Sequence, residues 1–123
     1  MTLLRANPSF QYTNSDDGLA FWSDYLGFQV IYDEGVGKLR VVRKDSVTIL
    51  LETNKAYAKQ LPPLLRIETD DAAALWAELS VKPEHSEYVH ERFVAGPELR
   101  PWNAWEFAVQ DKRACVVFQQ WRV

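Results

Sequence analysis

The side chains best suited to chemistry are few in this chain of 123 residues. It has two histidines, His85 and His90. An imidazole can ligate a divalent metal or move a proton near neutral pH. A spacing of five puts this pair on opposite faces of a strand, and Glu84, Glu87 and Glu91 around them suit a solvated edge. A metal site built there would need partners from elsewhere in the chain. Cys115 is the only cysteine, so no intrachain disulfide or cysteine-based zinc cluster can form. Flanked by Ala114 and Val116, it reads as a small buried hydrophobe. Ser9, Ser15, Ser23, Ser46, Ser80 and Ser86 lie in no nucleophile-elbow motif. Gly35-Val36-Gly37 is too short to cradle a phosphate.

What the chain does have is flat apolar surface. Aromatic residues make up 13% of it, including five Trp. Indole rings build cores and also line pockets and interfaces. The net charge is −3, and the basic residues are scattered. A nucleic-acid role is therefore not expected, because phosphate binding needs clustered cations. The densest basic run, Arg40 to Lys44, reads as the solvated face of a strand leading into a turn. Met1 to Arg5 lacks the apolar stretch of a signal peptide, and no segment is long and apolar enough to cross a bilayer. These features lead us to expect a cytoplasmic protein.

The elements that must position any site follow from an internal repeat. At a constant offset of 54, Ser15 to Asp24 matches Thr69 to Glu78. Asp16 and Asp70, Asp17 and Asp71, Ala20 and Ala74, and Trp22 and Trp76 are identical pairs. Each copy predicts a helix start, with Ser15 or Thr69 as cap and the Asp pair facing the positive dipole end. Leu19, Trp22, Tyr25 and Leu26 form an apolar stripe in the first helix, which Gly27 ends. Ala72, Leu75, Trp76 and Leu79 form the stripe in the second. Trp22 and Trp76 should therefore cover a sheet.

Strand patterns precede each helix, at about Ala6–Thr13 and Leu64–Glu68. Others follow the first helix at Phe28–Tyr32, Leu39–Arg43 and Val47–Glu52. After the second helix the pattern gives Tyr88–Val94, Trp105–Val109 and Ala114–Phe118. The expected class is α+β, with two βαβββ modules forming a curved mixed sheet in a single domain, 1–123. Module one covers about 1–53, a linker about 54–63, and module two about 64–123. Asn54–Gln60 suits a helical turn, and Pro62-Pro63 then forces an extended chain. Such a connector is compatible with exchange of modules between two copies.

With this layout the chain resembles the vicinal oxygen chelate superfamily of glyoxalases, extradiol dioxygenases and bleomycin-resistance proteins. Phe21 to Phe28 looks like the family's first-helix signature. Ala95 to Trp102 looks like the loop before the penultimate strand in the bleomycin-binding branch. Trp105 to Gln120 resembles its closing hairpin, with Asp111-Lys112-Arg113-Ala114 where the family has Asp-Pro-Asp-Gly. In catalytic members, metal ligands come from the first and last strands of each module. Here Met1–Asn14 and Gln60–Ile67 contain no His, Asp, Glu or Cys, and the family's final carboxylate falls at about Phe118. Only Glu52 still matches a ligand position, so no metal and no cofactor is expected.

The resemblance then implies a homodimer that sequesters a cationic, aromatic small molecule, possessing stacking surfaces and carboxylates. Trp102 and Trp105 sit where that branch places ligand-contacting residues. Tyr32, Phe93 and Phe107 are further stacking candidates, and Glu52, Glu98 and Glu106 are candidates for the negative field. Trp105 and Phe107 share one strand face, which a packed core explains as well as a pocket does. Tyr57 and Trp121 are candidates for a dimer seam. The expected function is non-catalytic binding of an antibiotic-like ligand. Two alternatives stand beside it: a superfamily lyase, isomerase or dioxygenase with atypical ligands including Glu52, and a structural partner using its aromatic surface.

Overall fold

A computed structural model describes residues 1–56 and 60–122. The chain divides into two compact units, Met1–Leu61 and Pro62–Val123, and the division falls inside the expected linker. Tyr57 and the middle of the helical turn expected over Asn54–Gln60 lie outside the described residues.

The first unit contains β1 (Ser9–Tyr12), α1 (Ser15–Leu19), β2 (Gln29–Asp33), β3 (Arg40–Lys44) and β4 (Val47–Thr53). Its four strands order β1-β4-β3-β2, with β1 parallel to β4 and the other pairs antiparallel. Alternation along each strand gives the sheet two faces. Phe10, Val42, Ile49 and Leu51 turn to one face and are buried there beneath the helix residues Phe21, Trp22, Tyr25 and Leu26. Trp22 is the centre of this core, with ring centroids 5.3 Å from Phe10 and 5.2 Å from Phe28. Its indole N–H donates to the Tyr12 hydroxyl at 3.1 Å, so the burial leaves no orphan donor.

Sequence periodicity missed some detail at this helix. Asn14, not Ser15, is the cap: its Oδ1 accepts from the Asp16 N–H at 2.9 Å. Ser15 is the first helical residue and its hydroxyl donates to the Lys38 carbonyl. After Leu19 the helix widens into a π-helical segment, Ala20–Tyr25. Gly27 closes it at φ +81°, a conformation that costs other residues more.

Arg40 overturns the reading of the basic run as a solvated face. Its residue is 5% exposed. The guanidinium forms ion pairs with Asp16 and, at 2.7 Å, with Asp33, its partner across β2 and β3. Both carboxyls are held below their ordinary value of 3.8, first by the hydrogen bond from Arg40 and second by a backbone N–H. At the outer edge of this sheet, every residue of β2 is exposed, and a bulge interrupts its ladder between Val30 and Tyr32.

The second unit contains β5 (Leu64–Glu68), α2 (Ala72–Ser80), α3 (His85–Tyr88), β6 (Glu98–Leu99), β7 (Ala104–Gln110) and β8 (Cys115–Trp121). The order β5-β8-β7-β6 repeats the first sheet, again with one parallel pair. Trp76 on α2 covers Phe107 at 5.3 Å, and Phe107 meets Phe118 at 5.3 Å. Asp71 rather than Thr69 caps α2, accepting from Ala74 N–H at 2.9 Å. The largest departure lies between α2 and β7. The strand expected over Tyr88–Val94 is replaced by α3, a single bridge from Val89 to Val109 and a 3₁₀ turn at Glu91–Phe93. The fourth strand comes instead from Glu98–Leu99, inside the stretch read as a loop. Thus His85 and His90 do not share a strand. His85 packs edge-on against Trp76 at 4.8 Å, where burial lowers its pKa. Cys115 is half-buried rather than fully buried.

Candidate functional site: the helix-free sheet faces

In each unit the helices cover one face of the sheet, and Gln11 and Glu52 in the first, and Glu106 and Gln119 in the second, turn to the other. In the second unit, strand pairing sets Glu98 opposite Glu106, Glu106 opposite Gln119, and Gln119 opposite Glu68. Directly paired residues share a face. One rank across all four strands therefore reads Glu98, Glu106, Gln119, Glu68, on the side away from Phe107 and Phe118. Glu106 and Gln119 are 3% and 4% exposed. Such burial requires partners, and they are present: Glu106 Oε1 accepts from the Gln119 amide and, at 2.6 Å, from the Trp102 indole N–H.

These bonds fix Trp102. Its backbone lies in the turn between β6 and β7, where the Asn103 N–H donates to the Arg100 carbonyl at 2.9 Å and Asn103 takes φ +66°. Its indole is 44% exposed yet anchored at the nitrogen. Glu98, at the outer strand, holds two cations. Arg92 Nε lies 3.1 Å and Arg100 Nη1 3.4 Å from its Oε2. The Arg100 guanidinium also sits 5.0 Å over the Trp102 ring.

The expected ligand residues separate. Trp102, Glu98 and Glu106 come together. Trp105 shares the helix-side face with Phe107, as its strand parity implied, and pairs with Gln120 rather than joining the acidic rank. Phe107 is fully buried under Trp76, so it is core rather than an open stacking surface. Phe93 is likewise buried, 6.1 Å from the His90 ring. Tyr32 and Glu52 lie on the helix-free face of the first sheet, where Tyr32 pairs with Val41 and Glu52 with Gln11. Tyr32 is 52% exposed. Trp121 is exposed at the end of β8. A separate groove of about 350 Å³, lined by Gly27, Gln29, Ile31, Arg43, Lys44 and Asp45, contains none of the expected residues.

Sequence reasoning missed Gln119, Gln11 and Arg100. The signal for Gln119 was present: with Phe118 in the core, its neighbour must face the other way. On the face away from the core, β8 thus presents the Gln119 amide beside Glu106. Gln11 likewise donates its amide to Glu52 at 2.5 Å. Amides are poorer divalent-metal donors than imidazole and carboxylate. Among the described residues no three His, Cys, Asp or Glu side chains converge. The donor set does not fit a metal ion of the catalytic kind.

No family model matches the sequence, and no curated protein sequence is recognisably similar to it. Solved structures are similar throughout. A bleomycin-binding protein from bleomycin-producing Streptomyces verticillus, complexed with copper(II)-bleomycin, superposes with TM-score 0.72 at 23% identity, over 98% of both chains. A bleomycin resistance determinant encoded on the transposon Tn5 gives 0.68 at 16% identity, covering 98% of this chain and 100% of that one. Lactoylglutathione lyase from Agrobacterium tumefaciens gives 0.70 at 14%, covering 95% and 92%. The chain has the α+β fold of the glyoxalase/bleomycin-resistance proteins, built from two βαβββ-type modules. No helix of the described residues is long and apolar enough to cross a membrane.

Proposed function

We propose that the protein is a non-catalytic small-molecule binder of the bleomycin-resistance type. It takes a cationic, planar ligand without changing it, and two copies form the cleft. The observation that carries this reading is the exposed Trp102 ring, pinned through its N–H to buried Glu106 beside the Glu98 carboxylate. A fixed ring offers stacking with little ordering cost, and the adjacent Glu98, which already holds guanidinium groups, marks a place for a cation. In the first unit, Tyr32 and Glu52 offer an exposed ring and a carboxylate on the helix-free face. The structural likeness to two proteins named for bleomycin supports the ligand class.

Tryptophan fluorescence titrated with metal-free bleomycin tests the proposal. Saturable quenching at one ligand per protomer is expected, and Trp102→Ala removes it. A flat titration in the wild-type protein overturns it. The likeness to lactoylglutathione lyase favours a second reading, a metal-dependent enzyme using Glu52. A stoichiometric, tightly held divalent ion in the purified protein would establish that reading in place of the first.

A further inference from the structure

The Trp102 ring face and the Glu98 carboxylate are not free in the isolated chain. One cation spans both: Arg100 places its guanidinium 5.0 Å over the indole and Nη1 3.4 Å from Glu98 Oε2. A cation over an aromatic face with a carboxylate alongside is the arrangement a cationic planar ligand would make. We infer that Arg100 is an internal stand-in for the cationic group of the ligand, and that binding requires its displacement. This inference rests on the proposed function and adds to it a residue that sets affinity by competition.

The geometry separates what moves from what stays. Trp102 is held at its nitrogen by Glu106, itself held by Gln119 in a buried position. Among the described residues Arg100 has no comparable anchor. Its side chain is 21% exposed and its contacts are one ion pair with a 43%-exposed carboxylate and one ring face. A single ion pair to a part-exposed carboxylate and a single cation–π contact are each worth about fivefold in affinity, equivalent to about 1 kcal/mol, so a ligand cation that makes both can exchange with the guanidinium. Arg92 completes the arrangement. It sits 3.1 Å from the same Glu98 oxygen and its guanidinium lies 5.9 Å from the Phe93 ring, not over Trp102. When Arg100 leaves, Arg92 keeps Glu98 partnered. Selectivity follows: a neutral planar compound must displace Arg100 with no charge to replace it, whereas a cation restores both contacts.

Neutralising each arginine in turn separates competition from the general electrostatic field. Metal-free bleomycin is titrated into wild type, Arg100→Gln and Arg92→Gln, following the tryptophan quenching that Trp102→Ala removes. Removing the competitor tightens binding in Arg100→Gln by about fivefold, equivalent to about 1 kcal/mol. Arg92→Gln, which removes the same charge without freeing the ring, changes affinity by less than about twofold. Equal tightening in both variants means a field effect and overturns the stand-in role. Unchanged or weaker binding in Arg100→Gln overturns it as well, while leaving the proposed function intact. If wild type and both variants all fail to bind, the proposed function falls and this inference falls with it.

Discussion

Gly18 to Ala is normally a stabilising change inside a helix, and here it should destabilise. Alanine is favoured over glycine in helix interiors by about 0.8–1 kcal/mol. Gly18, however, is buried on the face of α1 that meets the sheet. A Cβ built there lies 2.9 Å from Tyr12 Cε2, 3.0 Å from Tyr12 Cζ and 3.3 Å from Leu51 Cδ1. Tyr12 cannot simply swing away: it is 2% exposed and its hydroxyl accepts the Trp22 indole N–H. Overpacking in a core of this kind costs about 1–3 kcal/mol. The steric cost wins, and the net loss is about 1 kcal/mol. Urea unfolding reads it as a midpoint lowered by roughly 0.5 M. Ala77→Gly, at an exposed position of α2, measures the propensity alone in the same protein and should cost about 1 kcal/mol. Gly18→Ala with stability equal to or above wild type would refute the packing argument.

Two further outcomes follow from the structure. Asp16 and Asp33 have folded pKa values below 3.8, so their contribution is present above that pH and is lost as pH falls through the depressed values. Arg40→Gln should therefore lower stability at pH 7 and flatten its loss between pH 4 and 2, measured by thermal melts across that range; an unchanged acid limb argues against the ion pairs. Phe107→Ala should cost about 3–5 kcal/mol in denaturant unfolding, because Phe107 is fully buried between Trp76 and Phe118; a loss of ligand affinity at unchanged stability would place it in the pocket instead.

The parts legible in the sequence were those fixed by local periodicity. The helix repeat showed itself because Trp22 and Trp76 each face a sheet, and strand parity put Trp105 and Phe107 on one face. The caps were less legible, since Asn14 and Ser15, or Thr69 and Asp71, are all competent acceptors and only backbone geometry chooses. The fourth strand of the second sheet was misplaced because Glu98–Leu99 is two residues between Pro97 and the turn at Pro101, too short to carry a period. Arg40 was misread because its partners lie across a strand pair and in α1, at separations no local window covers. The site divided the same way. Glu98 and Trp102 were found through the loop, whereas Gln119 and Arg100 emerged only once register set the faces and the turn closed.

The open edge of the first sheet has a consequence for how the protein behaves at high concentration. A flat outer strand with Val30, Ile31 and Tyr32 all exposed would be a template on which further chains extend the ladder, the route by which sheets grow into aggregates. The bulge between Val30 and Tyr32 breaks the regular run of donors and acceptors and twists the strand. Asp33, tied to Arg40, holds the strand's last residue in place. The chain thereby keeps an apolar margin without offering a straight rail for polymerisation. A substitution that removed the bulge would raise the tendency to form fibrils before it altered the folded chain.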